Sequence, residues 1–195
     1  MNRRSLLALT LVMPFLLGQA AASTSEAEQK LRIAVDEVLA VSNRVSTRAA
    51  LADSARPVLQ RHISFETMTR RAVGVGWRQF SADQQKKATQ LFTTLVIRTY
   101  SNKFTPGEKA VVNFKSATTP AAGRVDVPTN LVYRGSNYDV TYRMEQVSGG
   151  WRIADVVIEG VSMVANYRTQ LDSTFKKGGA AAVLSSLEQS VSRPQ

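Results

Sequence analysis

The chain is expected to fold as an α+β domain. N-terminal helices pack on a curved antiparallel sheet of about four strands, and C-terminal helices complete it. Three observations carry this expectation. Up to about residue 104, apolar residues recur at helical spacing. Between Ala110 and Ile158 the period becomes two. From about Val161 the helical spacing returns. Helices segregated from strands in this way argue for helices covering one face of an antiparallel sheet. Such a layout encloses a cone-shaped interior, which side chains can fill or leave open.

The first 22 residues stand apart. Asn2-Arg3-Arg4 is a positive start, Leu6 to Leu17 a short apolar run, and Ala20-Ala21-Ala22 supplies small residues for cleavage. The run falls short of the ~20 apolar residues that span a bilayer. No cysteine follows it, which excludes a lipid-modified N-terminus. Residues 1–22 therefore read as a cleaved signal peptide and 23–195 as one domain of 173 residues. A domain of that size buries ~70% of its unfolded surface, enough to fold without disulfides. The chain has no cysteine, which also removes thiol catalysis and Cys-based metal sites. The net charge is +10, or +8 without Arg3 and Arg4. No dense Lys/Arg run interleaved with aromatics favours nucleic acid. Attraction to anionic lipid and plain solubility both remain open.

Along the domain, Ser25 with Glu26 and Glu28 reads as a helix start, and Leu31, Val35, Val38, Leu39 and Ser42 share one helical face. A second helix is expected from Thr47 to about Arg61, broken or kinked at Pro57. A third spans Phe65 to Val73 and stops at Gly74 and Gly76. Ser81 and Gln84 form a capping box for the fourth, which should run to about Lys103 before Pro106-Gly107. Its apolar stripe, from Leu91 to Phe104, is wider than one packing seam. Strands are expected over Ala110–Ala117, then Arg124–Tyr133 with an interruption at Pro128. A third strand carries Tyr138, Val140, Tyr142 and Met144 on one face, and Trp151–Ile158 returns after the Ser148-Gly149-Gly150 turn. Helices follow over about Val161–Lys177 and, past Gly178-Gly179, to Ser190.

Catalytic chemistry is sparse. His62, the one histidine, sits where a cation satisfies the carbonyls of a helix end. No metal-ligand spacing occurs. Gly74-Val75-Gly76-Trp77 follows a helix, not a strand, and lacks the lysine of a phosphate loop. Asp139 alternates away from Tyr138 and Val140, toward solvent. Asp155 and Glu159 leave room for a small enzyme built on a buried carboxylate. Arg70-Arg71 and Lys86-Lys87 read as solvated faces that could also touch an anionic surface.

One stretch carries a family signal. Val157-Ile158-Glu159-Gly160-Val161-Ser162-Met163-Val164, followed by Asn166-Tyr167-Arg168 and Phe175, resembles the toluene-tolerance or MlaC family of periplasmic phospholipid-binding proteins. The passage from Phe65 to Tyr100, with its Trp77-to-Lys87 corner, resembles the same family, and the likeness extends over about Leu31–Leu187. It implies a fold similar to the nuclear-transport-factor cone with an added helical part. It also implies a shuttle without cofactor or metal, holding acyl chains in an apolar cavity. The implied partners are a diacyl phospholipid, an outer-membrane lipoprotein complex, and the substrate-binding protein of an inner-membrane ABC transporter. A hopanoid-type cargo, a carboxylate enzyme and an envelope interaction module with a filled core are the competing readings.

Periodicity combined with the implied cone places a lipid-binding lining at Phe92, Val96 and Tyr100 on the long helix. On the sheet it selects Tyr138, Val140, Tyr142, Met144 and Val157, with Val161 and Val164 at the mouth. A dry core would use the same residues.

Overall fold

The computed structural model describes residues 14–193, with side chains from residue 24 onward. Most of the expected signal peptide therefore lies outside the described residues. Five helices and six strands follow in the order anticipated, helices then sheet then helix. Helix α1 (Pro14–Ser42) extends upstream of Ser25, because no breaker lies between Gln19 and Thr24 and three alanines favour helix. Helix α2 (Arg48–His62) is capped by the Thr47 hydroxyl, which accepts from Ala50 N, and carries Pro57 within it without ending there. Helix α3 (Phe65–Val73) ends at Gly74, whose φ is 75°. A 3-10 turn over Gly74–Gln79 then leads to α4 (Ala82–Ser101), where Ser81 and Gln84 make the reciprocal capping box. No helix of the described residues is long and apolar enough to cross a membrane.

The strands are β1 (Ala110–Phe114), β2 (Thr118–Ala121), β3 (Arg124–Tyr133), β4 (Ser136–Val147), β5 (Gly150–Ile158) and β6 (Val161–Ser162). They form one open, curved antiparallel sheet in the order β1-β3-β4-β5-β6, with β2 also on β3. The two strands beyond the four expected, β2 and β6, have four and two residues, too few for alternation to reveal. Pro128 does not interrupt β3. Its carbonyl accepts from Lys115 N, so its missing N–H would point to the same edge, in the gap between β1, which ends at Phe114, and β2, which starts at Thr118. A proline there costs no ladder bond.

The pairing of β4 with β5 contains a bulge. Arg143 faces Asp155 but Met144 faces Ile153, leaving Ala154 as the extra residue. The alternation of β5 changes phase there. Trp151 and Ile153 share the inner face with Met144, whereas Val156 and Ile158 share it with Tyr142 and Val140.

The chain then turns through Glu159 (φ 48°) and Gly160 (φ 76°), both left-handed as a two-residue hairpin of this twist requires. Glu159 tolerates that conformation because it exchanges bonds with Asp139: its amide donates to the Asp139 carbonyl, and its carboxylate accepts from the Asp139 amide. Ser162 caps helix α5 (Met163–Ser192) by accepting from Ala165 N at 3.0 Å. Helix α5 is two helices joined at Gly178-Gly179, where Gly179 has φ 61°.

Apolar packing forms two cores. One joins α3, α4 and α5 around Met68, Phe92, Ile97 and Leu187. The other joins α1 to the sheet around Leu31, Val125, Val127 and Met144. Ile63 and Val156 border both. At the α2–α3 junction, Ser64 N donates to the Ile153 carbonyl at 2.9 Å and pins the helical layer to β5.

Candidate ligand-binding cavity

Between the two cores lies a cavity of about 240 Å³. Four layers build its wall. α1 supplies Leu31, Val35, Val38 and Leu39 from one helical face. α2 lays Leu51, Ala55 and Leu59 across the top. α4 adds Val96, Ile97 and Tyr100. The inner face of the sheet closes it with Val112, Leu131, Val140, Tyr142, Val156 and Ile158. These sheet residues share a face by register: Leu131 pairs with Val112, Val140 with Ile158, and Tyr142 with Val156. The polar wall groups are few: Ser42, His62, Tyr100, Ser101, Glu108 and Tyr142. Ser42, Ser101 and Glu108 cluster at one end, where Gly107 N donates to the Ser42 carbonyl. Glu108 lines the hollow yet keeps 40% of its side-chain surface exposed, so the cavity reaches solvent there.

The site residues expected from sequence divide. Val96, Tyr100, Val140 and Tyr142 lie on the cavity wall. Phe92 is instead fully buried in the helical core, edge-on to the Tyr167 ring at 5.0 Å, and Val164 packs in the same core. Met144 has the inner orientation but lies past the deep end of the hollow, packed among Leu31, Val125 and Trp151. Val157 pairs with Thr141 and faces away, because the Ala154 bulge hands the inner face to Val156 and Ile158. Tyr138 and Val161 sit outside the wall, 37% and 61% exposed near the open end. Sequence reasoning missed the α1 and α2 walls. The stripe Leu31, Val35, Val38, Leu39 was visible, but a stripe facing a hollow and one facing a core read alike.

The electrostatics are those of an apolar container. Burial alone pushes the Tyr142 phenol up to about 12, and its hydroxyl has no hydrogen-bond partner among the described residues. Burial also raises Tyr100, with smaller contributions from Tyr167 and Asp155. His62 ends α2 and places Nε2 3.0 Å from Glu37 Oε2; Arg61 bonds the same carboxylate at 2.6 Å, and these two bonds lower the Glu37 pKa. Asp155, the one buried carboxylate among the described residues, is engaged on every side. It accepts from Arg143, from the Ser162 hydroxyl at 2.6 Å, and from the amides of Val156 and Val164. That set ties β5 to the start of α5 and leaves the carboxylate no free lone pair aimed at the cavity. No group of metal-ligating side chains occurs among the described residues.

Helices laid over a curved open antiparallel sheet, with a largely apolar hollow between them, define the class: an α+β domain built around a container-like interior. A profile of the MlaC protein family matches residues 32–189, and the chain belongs to that family. Among solved structures, the chain is similar to a phospholipid-binding protein from Ralstonia solanacearum determined in complex with a phospholipid. The TM-score is 0.79 and the identity 24%, over 85% of this chain and 97% of that one. No curated protein sequence matches.

Proposed function

We propose that the protein is a soluble periplasmic carrier that holds phospholipid acyl chains in this cavity. It takes lipid from one envelope complex and delivers it to another. The partners are an outer-membrane lipoprotein complex and the substrate-binding protein of an inner-membrane ABC transporter, and the traffic maintains the lipid asymmetry of the outer membrane. Residues 1–22 direct export and are removed. The lipid-contacting residues are those on the wall, with Val96, Tyr100, Val140 and Tyr142 among them.

The observation that carries this reading is an apolar hollow, open at one end, in a fold shared with a protein solved holding a phospholipid. Two acyl chains expose roughly 30 methylenes, and at ~0.8 kcal/mol each their passage through water is opposed by ~24 kcal/mol. An apolar wall offsets most of that without any polar chemistry. The open end lets the head group stay in water. At about 240 Å³ the hollow is smaller than the ~300–1,000 Å³ pockets that hold drug-sized ligands. Uptake of two chains therefore widens it.

The test is native mass spectrometry of the mature protein purified from a bacterial periplasm without added lipid. About one co-purified phospholipid per chain is expected. Bare protein that takes up no lipid from vesicles would refute the carrier role.

A further inference from the structure

The loops around the open end carry a charge pattern that the cavity itself does not explain. Three segments meet there: the α1–α2 connection, the α4–β1 connection and the β3–β4 turn. They hold Arg44, Lys103, Lys109 and Arg134 against a single acid, Glu108, and Arg48 begins α2 beside them. Each loop cation borders the wall. Arg44 is two residues past Ser42, Lys103 precedes Phe104, and Lys109 stands between Glu108 and Ala110, all of them lining residues. Arg134 lies 3.8 Å from Glu108. The acids on the sheet side of the same end are engaged: Lys115 bonds Asp139 at 2.7 Å, and Glu159 accepts from the Asp139 amide. Arg44, Lys103 and Lys109 are exposed, and their side chains form no ion pair or hydrogen bond among the described residues. Two exposed apolar side chains complete the rim. Tyr138 pairs with the lining residue Leu131, and Val161 with the lining residue Ile158.

We infer that this rim docks on an anionic bilayer surface, with the cavity mouth facing the lipid. Unpaired cations on two of these loops, with Arg134 beside Glu108 on the third, match the negative potential of such a surface, where each unpaired cation contributes a roughly fivefold gain in binding. An exposed tyrosine and valine beside them suit the boundary between head groups and acyl chains. Its cations border an opening lined by apolar side chains. A lipid leaving the bilayer at that point enters the hollow without crossing bulk water. The inference rests on the carrier reading and adds the membrane itself as a docking partner.

The experiment measures binding of the mature protein to vesicles of phosphatidylglycerol mixed with phosphatidylcholine, and to pure phosphatidylcholine vesicles. Bound lipid per chain is determined separately by mass spectrometry. Lys103→Gln with Lys109→Gln should weaken binding to the anionic vesicles roughly 25-fold, two fivefold steps. Lipid content should be unchanged. The matched control, Arg78→Gln with Lys86→Gln, removes the same charge at the far end of α4, roughly 30 Å away, and should change binding less than twofold. Equal losses in the two double variants would overturn the inference in favour of unspecific charge attraction. So would wild-type protein that carries lipid but ignores anionic vesicles, which would assign the rim to a protein partner. Wild-type protein that docks through the rim yet never contains lipid would refute the carrier reading and leave the docking surface standing.

Discussion

Tyr142→Phe separates a container from an ordinary core more sharply than any deletion. In a packed core a buried phenol normally finds a partner, and removing its hydroxyl costs about 1 kcal/mol. Here the hydroxyl lines an apolar hollow and has no hydrogen-bond partner among the described residues. Tyr142 is half-buried on the wall of the hollow, so leaving its hydroxyl without a partner costs at most the ~1–3 kcal/mol of a fully buried polar group. The phenylalanine variant without lipid should therefore be as stable as wild type at pH 7 or more stable, by up to ~2 kcal/mol. For a chain of this length that is a rise in Tm of up to ~8 °C. A second effect appears at high pH. The folded phenol has a pKa of about 12 because burial disfavours its charged form, whereas the unfolded one titrates near 10. Below pH 10 both states are neutral and the hydroxyl adds no pH dependence. Between pH 10 and 12 the unfolded chain ionises first, so wild-type stability falls, by ~2–3 kcal/mol at the upper end. The variant lacks this component. Thermal unfolding of both proteins from pH 7 to 11.5, read as their difference, isolates it from the other tyrosines and the lysines. A variant destabilised by more than 1 kcal/mol at pH 7, with no widening of the gap above pH 10, would refute the reasoning and show the hydroxyl to be bonded in a filled core.

Val96→Trp places an indole in the hollow; it should abolish co-purified lipid while far-UV circular dichroism stays native, and loss of the fold would show a site already packed. Asp155→Ala strands the donors from Arg143, Ser162 and Val164 at the β5–α5 junction; a loss of about 3–5 kcal/mol is expected, seen as a lower denaturant midpoint at unchanged slope. Gly76→Ala would set a Cβ 2.7 Å from the Phe175 ring. The cost should be about 1–3 kcal/mol, and Phe175→Leu in the same chain should recover part of it in a double-mutant cycle.

The fold was largely legible in the sequence because several helix boundaries carry local chemistry. Thr47, Ser81 with Gln84, and Ser162 all make the capping bonds that their types and spacing suggest. The cavity wall was half legible. Alternation along Tyr138, Val140, Tyr142 and Met144 gave the right face of β4, but depth along that face depends on what packs against it. Tyr138 overshoots the open end and Met144 the closed one. Val157 failed for a different reason: a single extra residue, Ala154, inverts the alternation of β5, and no residue type announces a bulge. Phe92 and Val164 failed because apolar character does not distinguish a wall from a core. The Glu159-to-Met163 signature, by contrast, resolves into separate tasks. Glu159 and Gly160 make the left-handed turn, Ser162 caps α5 while donating to Asp155, and Met163 reaches the cavity wall.

Two cores parted by a hollow also give this protein a volume defect. Unfolding eliminates internal void, and the associated decrease in volume means that hydrostatic pressure favours the unfolded chain. An occupant that fills the hollow removes part of that defect. The loaded protein should thus resist pressure better than the empty one, beyond the stabilisation that binding confers at one atmosphere. Pressure then acts as a gauge of how completely the interior is filled.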